Sequence, residues 1–389
     1  MSAMAADQGL SSGAERRAIA VYGATGYTGT LVARELVARG VRVVLAGRNL
    51  ARLDQLAGEL GGDVVARAVA LDDATGLRAL AGDVGAIINC AGPFSATVRP
   101  LADAAIAARA HYLDVSGEQE SARWLLDDAD AAARDAGVTL LPGFAFFSAL
   151  SDMLTALTAE GFGPVDDVTV AYAITDWRAS SGTVRSRIEG LALPWLAFDG
   201  GVRTSSRPSP ATWFDFPPPT GRRRVTLYPT HDVLFIPRHL APNRVSVHVT
   251  AATLFPEALG NFIPLAVDGL AALLRTPARG LVERAMRAFW KASGDGEMTS
   301  DPTRFHVVVR VTGPAGERRS ELTGQGIYDI TAPMVAEAAV RLLTGAPPRS
   351  GALTPAQAFE PRDFLDGLAP HGLRYTLFEG AKETRGVAA

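Results

Sequence analysis

Glycines recur at 23, 26 and 29, close to the N-terminus, between an apolar run and an amphipathic one. No other stretch of the chain restricts the fold so tightly. Ala18 to Tyr22 reads as a short buried strand. Tyr27 to Arg39 places Leu31, Val32, Leu36 and Val37 on one face of a helix. Gly23 permits the tight turn, Gly26 lets backbone approach a ligand, and Gly29 lets the helix pack close to the sheet. A strand, a glycine turn and a helix in this order form a dinucleotide-binding corner. The N–H groups of the helix N-terminus then face the pyrophosphate. Thr25, Tyr27 and Thr28 complete the turn and join the three glycines as candidate cofactor contacts. The spacing is GxxGxxG, one residue longer than the common form, in a chain with 39 glycines. Its position between strand and helix is what gives it meaning.

The next strand, Val41 to Ala46, ends in Gly47-Arg48-Asn49. A site that prefers NAD puts a carboxylate here to hold the ribose 2′-OH. Arg48 is suited to a 2′-phosphate instead, because its planar fork matches phosphate oxygens. Asn49 offers a second donor. The expected cofactor is NADP(H).

Strand and helix signals continue to alternate. Val64 to Leu71 runs to Asp72, and Val84 to Cys90 runs to Ala91-Gly92-Pro93-Phe94. A helix follows over Pro100–Ala110. His111 to Val115 then runs to Ser116-Gly117-Glu118, a helix covers Ser121–Ala136, and Val138 to Leu141 runs to Pro142-Gly143. The expectation is an α/β chain: an N-terminal Rossmann-type, doubly wound parallel sheet, with ligands at the carboxyl ends of its strands. Beyond 150 the runs Val168–Ile174, Arg224–Tyr228, Val245–Thr250 and Phe305–Thr312 alternate as antiparallel strands do. The last of these forms a hairpin with Arg318–Gly324. The expected organisation is a disordered lead over 1–16, an NADP-binding Rossmann domain over 17–150, and an α+β substrate domain over 151–332. A C-terminal helix and tail over 333–389 is expected to return to the Rossmann domain.

Composition removes several functions. The net charge of −3 advertises no nucleic-acid surface, and the single cysteine, Cys90, builds neither a disulfide nor a thiolate metal cluster. The six histidines are scattered, so no metal site is expected. The lead has no apolar core of a signal peptide. A reducing, cytoplasmic setting fits. The apolar stretch Ala258–Leu274 is too short to span a bilayer. It reads as a core helix, with contact to a membrane surface as the alternative. A homodimer is the default expectation for oligomeric state. Lysine occurs only at Lys291 and Lys382, and neither follows a tyrosine at the spacing of a Tyr-x-x-x-Lys catalytic pair.

Val21 to Gly29, Gly47-Arg48-Asn49, Asn89 to Phe94 and Tyr112 to Glu118 together resemble the saccharopine dehydrogenase-like family, most closely its trans-acting enoyl reductase branch. Ser181-Gly182-Thr183, Met334 to Ala339 and Gly351 to Ala356 are similar to later segments of that branch. The resemblance implies a Rossmann domain with a second domain, NADP(H), and hydride transfer. It also implies that Cys90, Ala91, Gly92 and Pro93 lie along the cofactor, with Asp72 on the adenine side. One departure stands out. Where the branch shows GFDxxPSD, this chain has Gly143-Phe144-Ala145-Phe146-Phe147-Ser148-Ala149-Leu150-Ser151-Asp152, longer and more apolar.

A reduction needs a proton as well as a hydride. Asp114, Glu118 and Tyr112 are the candidates at a strand tip, Asp114 and Glu118 also reading as turn-capping and helix-start acids. Phe144, Asp176, Thr183 and Arg187 are candidate substrate contacts. The resulting expectation is an NADPH-dependent oxidoreductase acting on a small, apolar C=C or C=O acceptor. Two other readings remain: an imine reductase for an amino-acid-derived substrate, held by Arg185 and Arg187, and a non-catalytic NADP-binding sensor.

Overall fold

The computed structural model describes residues 18–191, 193–207, 209–254, 257–289, 301–345, 349–379 and 382–384. The expected lead at 1–16 and Lys291 lie outside them. The chain divides into two units. One comprises 1–116, 120–145 and 331–353, and the other 117–119, 146–330 and 354–389.

The first unit is built on short apolar strands that are interior except at the β3 edge. All four residues of β1 (Ile19–Tyr22) are buried, as a parallel strand covered on both faces must be. It is followed by α1 (Tyr27–Ala38), β2 (Val43–Gly47), α2 (Leu50–Leu60), β3 (Val64–Ala68) and α3 (Ala74–Gly82). Then come β4 (Ala86–Asn89), α4 (Phe94–Ala108), β5 (His111–Asp114), α5 (Asp130–Ala136) and β6 (Thr139–Leu141). The seven-stranded order is β15-β6-β5-β4-β1-β2-β3, where β15 is Gly351–Ala352. Its pairings are all parallel. The chain winds outward from β1 to β3, then restarts at β4 on the other side of β1. The carboxyl ends of β1 and β4 therefore flank the point where a doubly wound sheet opens a ligand crevice.

Two expectations in this unit are corrected. Helix α4 starts at Phe94, before Pro100 rather than at it. The buried Phe94, Val98 and Leu101 outweigh the one backbone bond that a proline removes, a cost of about 3 kcal/mol. The single helix expected over Ser121–Ala136 is three pieces: Gln119–Arg123, a wide turn at Trp124–Asp128, and α5.

The second unit holds a ten-stranded mixed sheet. Its path is β10 (Thr212–Asp215), β11 (Arg222–Leu227), β12 (Arg244–Thr250), β7 (Asp167–Thr175), β13 (Arg304–Gly313), β14 (Gly316–Gln325), β16 (Arg374–Glu379) and β17 (Lys382–Thr384). Strands β8 (Trp195–Asp199) and β9 (Val202–Ser206) attach through β12. The expectation that these strands are antiparallel fails at one pairing: β12 runs parallel to β7. Alternation of side chains reports a half-covered face and not the direction of the neighbour.

Helix α6 (Phe146–Ala159) precedes β7, and α7 (Ser181–Leu191), α8 (Ile263–Leu274) and α9 (Arg279–Phe289) pack together around Val184, Ile188, Leu274 and Met286. Helix α8 is not the core helix expected of Ala258–Leu274: Ile263, Val267 and Leu274 are buried, while Leu265 and Leu273 are exposed. Helix α10 (Ile327–Thr344) leads into β15. The whole C-terminal segment is expected to return to the Rossmann domain. Residues 331–353 belong to the first unit and residues 354–389 to the second, where β16 extends the sheet beside β14.

Candidate functional site

At the end of β1 the backbone closes on itself in a glycine turn. Gly23 has φ +80, and a Cβ there would lie 2.9 Å from Ala91. A Cβ on Gly29 would lie 2.3 Å from the Gly23 carbonyl oxygen, closer than any real contact. The turn is thus closed on itself, and only glycine fits. Helix α1 begins after Gly26 with no side-chain cap, and no acid stands in its first turn. Its first N–H groups and positive end suit a phosphate. Thr25 and Gly26 are exposed, Tyr27 and Thr28 half-buried.

Arg48 stands exposed just past β2. Burial raises the Tyr22 phenol, Arg48 lowers it and Asp72 raises it, so Arg48 and Asp72 both act on the same end of β1. The Tyr22 hydroxyl donates to the Val69 carbonyl at 3.0 Å. Asn49 is partly committed: its Oδ1 accepts from the Arg52 N–H at 3.2 Å and caps α2, leaving the amide NH2 for a ligand.

The β4 tip is held by a residue that the sequence reading does not single out as a site. Asn89 is fully buried. Its Oδ1 accepts from the Ala91 N–H at 3.0 Å, and its Nδ2 donates to Thr97 Oγ1 at 2.9 Å and to Tyr112 Oη at 3.1 Å. Thr97 in turn donates to the Ala91 carbonyl at 2.7 Å. Cys90 to Pro93 is therefore a preset loop leading into the uncapped start of α4. Burial, with the Asp114 charge second, pushes the Cys90 thiol above its ordinary value.

Of the three proton-donor candidates, two are locked in the core. Asp114 is fully buried, and its Oδ1 accepts from the N–H groups of Ser116 at 3.0 Å and Gly143 at 2.8 Å. It ties the end of β5 to the turn after β6. Tyr112 is also fully buried, and burial followed by the Asp114 charge pushes its phenol well above 10. Glu118 is half-buried and accepts from Ser186 Oγ at 2.8 Å.

The substrate candidates are dispersed. Phe144 is wholly buried, with its N–H donating to the Asp114 carbonyl at 2.7 Å. In the second unit Thr183 Oγ1 lies 2.7 Å from Tyr328 Oη, and Asp176 is exposed with φ +58. The Arg187 guanidinium lies 3.8 Å over the Trp177 ring, while Arg185 is exposed.

The second unit also holds a buried polar network that no local motif announces. Helix α6 is broken at Phe147 and Ser148, the latter at φ +71. Ser148 Oγ donates to Asp232 at 3.1 Å, Thr230 Oγ1 donates to it at 2.5 Å, Ser151 donates to its other oxygen, and Tyr172 Oη donates at 3.2 Å. Burial raises the Asp232 carboxyl, and the Ser151, Thr230 and Ser148 hydroxyls pull against that rise. His231, also buried, is pushed down to about 4 by burial. Around Ser148, Phe147 packs at ring-centroid distances of 4.9 Å from Phe146, 5.1 Å from Tyr172, 5.8 Å from Trp177 and 5.7 Å from Tyr228.

A parallel sheet with a glycine cradle and an uncapped helix N-terminus at its switch point is the architecture of a dinucleotide-binding protein, and Arg48 stands exposed beside it. Residues 19–141 match the saccharopine dehydrogenase NADP binding domain. The cofactor is NADP(H) and the protein is an NADP-dependent oxidoreductase. A Mycobacterium tuberculosis protein named as a candidate trans-acting enoyl reductase is 25% identical over 393 residues, spanning 87% of this chain and 92% of its own. The trans-acting enoyl reductase of Mycobacterium bovis is 33% identical over 140 residues, 35% of this chain and 34% of that protein. The apo saccharopine dehydrogenase (L-Glu forming) of Saccharomyces cerevisiae shares the fold, with a TM-score of 0.57 at 13% identity over 93% of this chain and 100% of that one. No described helix is long and apolar enough to cross a membrane.

Proposed function

We propose that this chain is an NADPH-dependent reductase of an apolar α,β-unsaturated carbonyl compound, an enone or enoyl thioester of lipid or secondary metabolism, working in the cytoplasm. One observation carries the acceptor class. In the second unit the indole N–H of Trp177 is buried without a hydrogen-bond partner, within an aromatic wall of Phe147, Tyr172 and Tyr228. An orphaned donor, packed beside Phe147 and under the Arg187 guanidinium, is a cost that a carbonyl oxygen relieves. The name carried by the mycobacterial relatives, enoyl reductase, is that of such a reaction.

The roles of this chain's residues follow from their chemistry. Gly23, Gly26 and Gly29 with the start of α1 would hold the pyrophosphate, Arg48 the 2′-phosphate and Asp72 the adenine side, with residues 90–93 alongside. When bound, NADPH supplies the hydride. Asp114 and Tyr112 act as positioning residues, since both are buried and already paired. Glu118 is the carboxyl group of the three that meets solvent, and it is our candidate for passing a proton to the reduced acceptor.

The imine reading needs two arginines forked on one carboxylate. Residues 185 and 187 are two apart on α7 and point about 200° apart around it. Arg187 is stacked on Trp177 while Arg185 is exposed, which disfavours that clamp.

The test is oxidation of NADPH by a panel of enones, enoyl thioesters, saturated ketones and preformed imines, run with Trp177→Phe alongside. Turnover of the unsaturated carbonyls, with kcat/KM lowered about tenfold in the variant, is the expected result. Turnover confined to imines would overturn the proposal. Tight NADPH binding with no turnover in any class would mark a sensor.

A further inference from the structure

Helix α8 is apolar on both sides, and only one side is covered. Ile263, Val267 and Leu274 face the second unit, packed with Trp195 and Val184. Phe262, Leu265 and Leu273 stand on the opposite side at 59%, 73% and 48% exposure, with Gly269 and Ala272 exposed between them. Positions 262, 265, 269, 272 and 273 share one helical stripe. Leu281, at the start of α9, adds a further leucine at 65%. Asp268 stands exposed at the edge of this side, and the rest of it is an exposed apolar stripe that marks a surface something else covers.

The charge around it says what that is. Residues 263–289, which hold α8 and α9, contain four arginines (275, 279, 284 and 287) and two acids (Asp268 and Glu283), an excess of two positive charges in a chain whose net charge is −3. Both acids are answered locally: Asp268 lies 3.9 Å from Arg207 and Glu283 lies 2.7 Å from Arg279. Leucines along a helix with arginines at its end and on the next helix form the pattern that lies flat in a lipid headgroup layer. Basic side chains there are attracted to anionic lipid.

We infer that the outward stripe of α8, with the start of α9, rests on the surface of an anionic phospholipid bilayer without crossing it. The leucines enter the headgroup boundary, and the arginines meet phosphates. The inference does not depend on which bond the enzyme reduces, since it concerns where the second unit sits and is read without any acceptor.

The test is flotation of the full-length protein with vesicles of phosphatidylcholine alone or with phosphatidylglycerol added, at low and high salt. Light scattering without lipid runs in parallel. The expected result is binding to the anionic vesicles, reduced by salt, and reduced about tenfold or more in a Leu265→Asp/Leu273→Asp variant. Both leucines are exposed, so the variant should keep the wild-type melting temperature and NADPH titration. Equal binding to neutral and anionic vesicles, or none to either, overturns the inference. So does a dimer in lipid-free solution that the double variant returns to monomer, which would assign the stripe to a second copy of the chain.

Discussion

The cofactor end of the first unit and the buried centre of the second are built from opposite parts of the residue. At the end proposed for the cofactor the groups on offer are main-chain: the turn at Gly23–Gly29, the first N–H groups of α1, and the Ala91 loop. Side chains there are mostly absent by necessity, because a Cβ on Gly29 would meet a carbonyl oxygen at 2.3 Å. In the second unit the backbone turns left-handed at two non-glycine residues, Ser148 and Asp176, and the side chains do the organising. Asp232 gathers hydroxyls from Ser148, Ser151, Tyr172 and Thr230. A recognition surface made of backbone tolerates change wherever glycine is kept. One made of gathered side chains fails when its hub is lost.

The comparison is broken most severely at Gly29. Gly29→Val should destabilise the first unit by at least about 4 kcal/mol and abolish NADPH binding. A normal melting curve with an intact NADPH titration would show that the helix can draw back from the sheet. The counterpart in the second unit is Asp232→Ala, which strands four buried hydroxyls at once. A loss of about 3 kcal/mol in the urea midpoint is expected, with NADPH affinity retained. An unmoved midpoint would mean that the hydroxyls re-pair among themselves.

Arg48→Asp sharpens the contrast, since it touches recognition and not the fold. NADPH affinity should fall by roughly 10- to 150-fold, from the loss of about 1.5–3 kcal/mol of charged hydrogen bonding, while NADH binding is spared. Equal loss for both cofactors would remove Arg48 from the 2′-phosphate.

The smallest effect at neutral pH is that of His231. Its imidazole is held neutral in the fold, down to about 4, and takes a proton at its ordinary value of 6.5 once unfolded. The stability it contributes is complete above 6.5 and is lost as pH falls through about 4. By pH 5 roughly 2 kcal/mol should be gone. His231→Leu should flatten that part of the urea-midpoint profile, and an unchanged slope would assign the acid sensitivity to other groups.

These differences explain what the sequence disclosed. Gly23, Gly26 and Gly29 are legible because a backbone site is written in local spacing, and Arg48 because its place at a strand tip is fixed by the strand before it. Asp232 was invisible: Ser148 and Ser151 lie more than eighty residues away, and nothing in Thr230-His231-Asp232 marks a hub. Asn89 was within reach, being a polar residue at the end of an apolar strand. The parallel pairing of β7 with β12 was out of reach, because alternation is blind to strand direction. The apolar run at 263–274 was plain, but its one-sided burial depends on partners far along the chain.

The edge strand β15 carries a consequence for how the protein is made. Gly351 and Ala352 pair with β6, and the Ala352 N–H donates to Asp130 Oδ1 at 2.9 Å, across 222 residues. At roughly 5–20 residues per second, about 10–40 seconds of synthesis separate β6 from the strand that covers it. Through that interval the nascent sheet leaves the ribosome with a bare edge open to chaperones and to neighbouring chains. The cofactor-binding half is the first to emerge and among the last to close.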